Sequence, residues 1–311
     1  MTETTREEIL KPTTLAPEGW DDGQSIHRWS VILAGGEGKR LRHLTRVWFG
    51  QDLPKQFCAF AGRRSMLEET ADRARQISNS DRIITVIGAE HWKFLPRQSS
   101  YSCGRIIEQP ANRETAAAIL LCAAWAVATD PLATLLILPS DHFVCPDGIL
   151  IPQLISAVRL AEELDDKIVL LGAEANSAEM GYGWIIPTKA GDVSKVGATF
   201  RRVVGFEEEP TADKAKRFFL KGYLWNTMMF AVKATTLWNL SRQFLPELTE
   251  YFQVLRRVRE VAERGKGQPD LTQQALEHIY GNIPAVSFSR VLLSNATRHL
   301  VVLPMREVIW R

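Results

Sequence analysis

Two hydrophobic periods alternate along the chain, and their order predicts its fold class. Val31 to Leu33 is a short apolar strand. Ser65-Met66-Leu67-Glu68 is a capping-box pattern opening a helix to about Ile77. Arg82 to Ile87 is β-branched and strand-like, Glu90 to Gln98 is helical in period, and Arg105-Ile106-Ile107 is a short strand. Thr115 to Ala128 is an alanine-rich helix stopped by Asp130-Pro131. Thr134 to Leu138 is a continuous apolar run, as expected of a central strand buried on both faces. Ile149 to Leu164 is an amphipathic helix, and Ile168 to Leu171 another strand. This succession predicts an α/β fold with a doubly wound, mostly parallel sheet. Ligands are then expected at the carboxyl ends of the strands.

Beyond Gly172 the rhythm changes. Tyr182 to Pro187 and Thr199 to Phe206 read as strands, Thr211 to Leu220 as a helix and Met228 to Val232 as a strand. Thr235 to Arg264 reads as helices interrupted at Pro246. Gly265 to Pro269 reads as a flexible link, and Leu271 to Tyr280 as one more helix. The expected organisation is a tail over residues 1–28 and one domain over 29–311. Within it, about 29–172 forms one half, and 173–311 a smaller inserted layer with the C-terminal helices.

Composition narrows the class. The 311 residues are 45% hydrophobic and 24% charged with net charge +2, ample for a large core. No basic run argues for nucleic acid. No apolar run approaches the roughly 20 residues of a membrane helix. Met1 to Gln24 is polar, without an apolar signal core, so the expectation is a soluble cytoplasmic protein with a loose tail. Cys58, Cys103, Cys122 and Cys145 are widely spaced, which favours free thiols over disulfides or zinc.

The candidate chemistry starts after the first strand, at Leu33-Ala34-Gly35-Gly36-Glu37-Gly38-Lys39-Arg40, followed by Pro54-Lys55-Gln56-Phe57. Glycines let backbone N–H groups approach an anion, and Lys39, Arg40 and Lys55 supply positive charge, so a chain of phosphates suits the loop. It is not a P-loop, because Gly38-Lys39 is followed by Arg40. It is not a dinucleotide fingerprint, because Leu41 stands where the third glycine belongs.

These residues, with Pro139-Ser140-Asp141-His142 further on, resemble the sugar-1-phosphate nucleotidylyltransferase family, and within it the mannose-1-phosphate guanylyltransferase branch. The resemblance covers about Trp29 to Arg311. It implies a Rossmann-like fold of the nucleotide-diphospho-sugar transferase type. It further implies transfer of a nucleotidyl group from GTP to mannose 1-phosphate, with Mg²⁺ as cofactor. Arg40, Lys55 and Asp141 would be catalytic, with Asp141 also the metal ligand. On the residues alone, a turn-capping Asp141 is an equal reading. Leu33, Ala34, Gly35, Gly36, Gly38, Lys39 and Arg40 would hold the nucleotide. Gln109, Asn112, Arg113 and Thr115 would join them, although Thr115 reads better as a helix cap. Gly183, Glu208 and Asn226 would hold the sugar.

Two departures stand out. Glu209 occupies the position of a lysine that would bind the sugar phosphate. The pattern's second acidic metal ligand would follow Ile309-Trp310-Arg311, at the end of the present sequence. Two other readings remain beside the leading one: the same chemistry on another pair, such as glucose 1-phosphate with UTP or dTTP, and a non-catalytic homologue that binds nucleotide sugar. A homodimer is one open assembly state.

Overall fold

The computed structural model describes residues 25–38, 41–95, 104–264 and 269–311. Lys39, Arg40, Cys103, most of the tail, the link at 265–268 and the end of the expected helix beyond Leu95 lie outside the described residues.

In chain order the elements are β1 (Arg28–Ala34), α1 (Arg42–Phe49), α2 (Met66–Arg75), β2 (Ile83–Gly88), β3 (Arg105–Gln109), α3 (Glu114–Thr129), β4 (Thr134–Pro139), β5 (Val144–Cys145) and α4 (Asp147–Glu163). Then follow β6 (Ile168–Glu174), β7 (Trp184–Pro187), β8 (Asp192–Val193), β9 (Thr199–Glu207), α5 (Ala212–Leu220), β10 (Leu224–Lys233), α6 (Ala234–Phe244), α7 (Pro246–Glu263) and α8 (Pro269–Asn282). A π turn (Ser289–Leu293), β11 (Leu300–Met305) and β12 (Ile309–Trp310) complete the chain.

One ten-stranded sheet runs in the order β3-β2-β1-β4-β10-β6-β11-β9-β7, with β8 on β9. The strands β3, β2, β1 and β4 are parallel, as the βαβα rhythm requires. The far half is mixed. β10 runs antiparallel between β4 and β6, and β9 antiparallel to β11 and β7. An unbroken apolar strand reports burial on both faces but not direction, so β10 could not be oriented from its composition. β11 enters the sheet parallel to β6 and has no counterpart in the sequence expectations. Its Leu-Val-Val-Leu run was visible, but Pro304 weakens it as a strand signal.

Side chains alternate between two cores. Val31, Ile84, Leu135 and Ile137 pack with α3, α6, α7 and α8 on one face. Ile32, Ile83, Leu136 and Leu138 pack with α2 and α4 on the other. The alanine-rich α3 is buried almost all round, from Ala116 to Val127, between the sheet and α7. Its small side chains permit that close approach on every side. The box at the start of α2 forms as expected: Glu68 N donates to Ser65 Oγ at 3.3 Å, and Ser65 N to Glu68 Oε2 at 2.7 Å.

Candidate active site

The parallel half ends β1, β2, β3 and β4 on one edge, and the segments leaving those ends line two adjoining clefts. The first, about 570 Å³, is walled by Gly35, Gly88, His91, Gln109 and Asn112. The second, also about 570 Å³, is walled by Gly38, Lys55, Asp141, Gly183, Glu208 and Asn226. Glu37 and Asn112 belong to both, and Asn112 Nδ2 donates to Glu37 Oε1 at 3.2 Å across the boundary.

The glycine loop is held from behind. The buried Gln56 donates through Nε2 to the Ala34 carbonyl at 2.9 Å and the Gly36 carbonyl at 2.7 Å. His91 Nδ1 lies 3.0 Å from the same Ala34 oxygen. Ser140 fixes the turn's root, with both N and Oγ donating to Leu33 O at 3.1 and 2.8 Å. With carbonyls turned inward, the loop can present its N–H groups to the cleft. Gly38 has φ +61°, and a Cβ there would come within 3.0 Å of Lys55 N and 3.2 Å of Pro54 Cα. The Pro54-Lys55 segment therefore packs directly under the loop. Gln56→Ala would take a donor from two loop carbonyls, leaving His91 at that of Ala34. We expect it to cost roughly 1–3 kcal/mol in a denaturant titration and to raise KM for nucleotide more than KM for sugar phosphate. Unchanged stability and KM would contradict this role.

At the end of β3, Tyr280 OH donates to Gln109 Oε1 at 2.9 Å, so the amide nitrogen is the end left to face the cleft. That nitrogen lies 2.3 Å from where a Cβ on Gly35 would stand. Gly35 thus leaves the room that Gln109 fills. Asn112 Oδ1 accepts from Glu114 N at 3.0 Å and starts α3. Arg113 and Thr115 are engaged elsewhere. Arg113 Nε donates to Tyr280 O at 2.9 Å, and Thr115 Oγ1 accepts from Phe288 N at 2.9 Å. Arg113 ties the start of α3 to α8 and Thr115 ties it to the segment after α8, and neither is among the residues lining the two clefts.

In the second cleft, Asp141 leaves the end of β4 with its side chain 52% exposed. His142 Nε2 lies 3.6 Å from Asp141 Oδ1, and His142 Nδ1 accepts from Trp310 Nε1 at 3.2 Å. The short strand β12 pairs with β5 and thereby brings Trp310 and Arg311 to this wall. Among the described residues there is no cluster of three or more His, Cys, Asp or Glu side chains that would cage a metal by itself. One exposed carboxylate beside a glycine loop does fit a hard cation that takes its other ligands from a phosphate-bearing ligand and water.

Across the cleft, Glu208 Oε2 is buried without a hydrogen-bond partner. A Cβ on Gly183 would stand 2.5 Å from that oxygen, so glycine leaves the carboxylate its space. Burial, then repulsion from Glu209, pushes the Glu208 carboxyl above its ordinary pKa, and Arg290 opposes the shift. Asn226 donates to Ser289 Oγ at 3.3 Å and accepts from Met228 N at 3.1 Å, at the bulge where β10 changes register against β6. Tyr182, Trp225 and Trp310 stack edge-on beside it, with ring centroids 5.2 to 6.3 Å apart.

Burial lowers the pKa of His91, and likewise of His142, where Asp141 partly offsets the effect and Lys55 and Arg73 reinforce it. The unfolded chain therefore takes up these protons first, near pH 6.5. Between that pH and the lower folded values it holds more protons, so stability falls as the solution is acidified. The thermal midpoint should drop on going below about pH 6.5, and a His142→Gln variant should drop less steeply. An equal slope in the variant would contradict the assignment.

The structure thus brings Gly35, Gly38, Gln109 and Asn112 to one cleft system with Lys55, Asp141, Gly183, Glu208 and Asn226; Leu33, Ala34 and Gly36 are not among the lining residues and take part through carbonyls tied to Ser140 and Gln56. Gln56, His91, His142, Tyr280 and Trp310 were not anticipated as parts of it. Gln56 carried a signal, in the Pro-Lys-Gln-Phe motif itself. His142 carried one too, beside Asp141 in the Pro-Ser-Asp-His motif, whereas Tyr280 and Trp310 meet the site only through distant pairing.

Comparison with known proteins agrees with this geometry. The Nucleotidyl transferase family profile matches residues 29–297. Mannose-1-phosphate guanylyltransferase RfbM of Salmonella typhimurium is 33% identical over 289 residues, covering 88% of this chain and 54% of that protein. Xanthan biosynthesis protein XanB of Xanthomonas campestris is 30% identical over 282 residues, covering 88% and 55%. The chain spans about half the length of the curated relatives it matches. Among solved structures, one titled mannose-1-phosphate geranyltransferase from Thermus thermophilus superposes with TM-score 0.72 at 26% identity, covering 92% of this chain and 76% of that one. By the extent of the profile match and the architecture of its sheet, this chain belongs to the nucleotidyl transferase family.

Proposed function

We propose that the protein transfers a nucleotidyl group from GTP to mannose 1-phosphate, forming GDP-mannose and pyrophosphate. The observation that carries the reading is the pairing of clefts. A glycine loop with inward-tied carbonyls faces one, a carboxylate with an unpartnered oxygen faces the other, and Lys55 and Asp141 stand on the second beside their boundary. The relatives named mannose-1-phosphate guanylyltransferase support the choice of substrate pair.

A phosphate oxygen of the sugar ester attacks the α-phosphorus of the nucleotide in line. The bond from that phosphorus to the bridging oxygen breaks, and pyrophosphate leaves with its electron pair. Catalysis of this kind is mostly positioning and charge neutralisation. Residues 35–38 of the loop hold the triphosphate, with Lys39 and Arg40 adding charge. Lys55 offsets charge developing at the α-phosphate. Asp141 would hold a divalent cation, Mg²⁺ by its oxygen preference, which when bound neutralises phosphate charge. Glu208 and Asn226 orient the sugar hydroxyls, and Gly183 leaves them room. Gln109 turns a donor nitrogen toward the base, which matches a keto oxygen such as guanine O6. The protein acts as a soluble enzyme of the cytoplasm in this reading; none of its described helices is long and apolar enough to cross a membrane.

The test is a matrix of nucleoside triphosphates against sugar 1-phosphates, read by phosphorus NMR. GTP with mannose 1-phosphate should give the highest kcat/KM. Preference for UTP or dTTP with glucose 1-phosphate would keep the chemistry and overturn the pair.

A further inference from the structure

Glu209 sits at φ +47°, a backbone position that a side chain other than glycine occupies only when something holds it there. Its carboxylate meets Arg290, whose Nη2 donates to Glu209 Oε2 at 2.8 Å. Arg290 comes from a distant part of the chain, the π turn Ser289–Leu293. Such turns recur at functional sites. The preceding residue, Ser289, accepts from Asn226 and points its hydroxyl at Met228 Sδ, 2.8 Å away. Both Asn226 and Met228 line the sugar-side cleft. A strained acid and an arginine from another element therefore meet beside that cleft: Glu209 follows Glu208, and Arg290 follows Ser289, the partner of Asn226, although neither Glu209 nor Arg290 is itself among the lining residues.

The pair has little to do with stability. Its side chains are 59% and 46% exposed, and exposed ion pairs contribute little to folding. A ligand argument gives it a purpose. A phosphate monoester whose hydroxyls reach Glu208 and Asn226 brings roughly 1.5 to 2 negative charges past two consecutive carboxylates. Among the described residues, Lys55 and Arg311 are the cations lining that cleft, and Lys55 also packs against the glycine loop. The Glu209 contact uses one nitrogen of Arg290, leaving Nε and Nη1 for a second anion. A planar guanidinium suits phosphate oxygens through paired N–H groups.

We infer that Arg290 receives the phosphate of the sugar 1-phosphate and that Glu209 is a positioning residue that aims the guanidinium at it. The inference rests on the sugar-phosphate reading given above. It places the cation on the segment after α8, opposite the strand end where the sequence carries two acids.

The test is calorimetric and kinetic, on the full chain. Arg290→Gln should weaken binding of mannose 1-phosphate, and raise its KM, roughly 10- to 100-fold, the equivalent of one charged hydrogen bond. Binding of GTP, KM for GTP and the thermal midpoint should stay as in wild type. Arg290→Lys should recover part of the loss. Glu209→Lys combined with Arg290→Glu should bind mannose 1-phosphate better than Arg290→Glu alone, and a loss confined to mannose 1-phosphate with GTP binding and thermal midpoint unmoved is a result that a merely structural pair would not give. Equal affinity of wild type and Arg290→Gln for mannose 1-phosphate overturns the inference and leaves the proposed function standing. A wild-type protein that binds GTP but no mannose 1-phosphate overturns the proposed function, and the inference with it.

Discussion

Asp141→Asn is expected to cut pyrophosphate release at least about 100-fold, the scale seen when one electrostatic partner of a transition state is removed, while the protein stays folded. The carboxylate stands exposed at the end of β4, and His142 Nε2 is 3.6 Å away. That separation is too long for a hydrogen bond, so its contribution to folding is small. Its loss removes the oxygen charge that a divalent cation needs, and asparagine keeps the shape. Turnover at saturating nucleotide, measured across a titration of Mg²⁺, checks the claim. Activity should fall and demand more metal. Full activity at ordinary Mg²⁺ would make Asp141 a turn residue, the reading that the residues alone left equally open.

Glu208→Gln should act in opposite directions on binding and stability. The carboxylate oxygen that has no partner in the protein is the acceptor offered to a sugar hydroxyl. Converting it to an amide should raise KM for sugar 1-phosphate about 10- to 100-fold, with a smaller change in kcat. Stability should rise. The folded state holds this carboxyl above its ordinary pKa, first through burial and then through Glu209. The unfolded chain therefore ionises it at lower pH, and stability is lost as pH rises through the folded value. At neutral pH, above the unfolded value, the fold bears a cost that glutamine removes. The thermal midpoint of the variant should exceed wild type at pH 7, with the gap closing on acidification. A lower midpoint at pH 7 would mean that Glu208 has a stabilising partner.

Local patterns made much of this molecule legible. Ser65 and Glu68 close the expected box, the alanine run forms α3, and Pro139-Ser140-Asp141-His142 sits where an α/β sheet places its ligands. What could not be read depends on distant partners. β11 takes its place beside β6 through pairing across more than a hundred residues, and Pro304 masks its pattern. Tyr280 reaches Gln109 from α8, and Trp310 reaches His142 by the pairing of β12 with β5. Nothing local to either residue announces those contacts. Glu209 shows the same limit in another form. In sequence it is an anion where a cation belongs. In the folded chain it faces Arg290, which lies 81 positions further along.

The central claim is that the two clefts hold the two substrates of one displacement. Pyrophosphate release from GTP and mannose 1-phosphate in the presence of Mg²⁺ tests it most directly. The account predicts release that requires both substrates and is matched by an equal amount of GDP-mannose. A folded protein that binds GTP yet releases no pyrophosphate with mannose 1-phosphate, or releases it equally without the sugar phosphate, would contradict it.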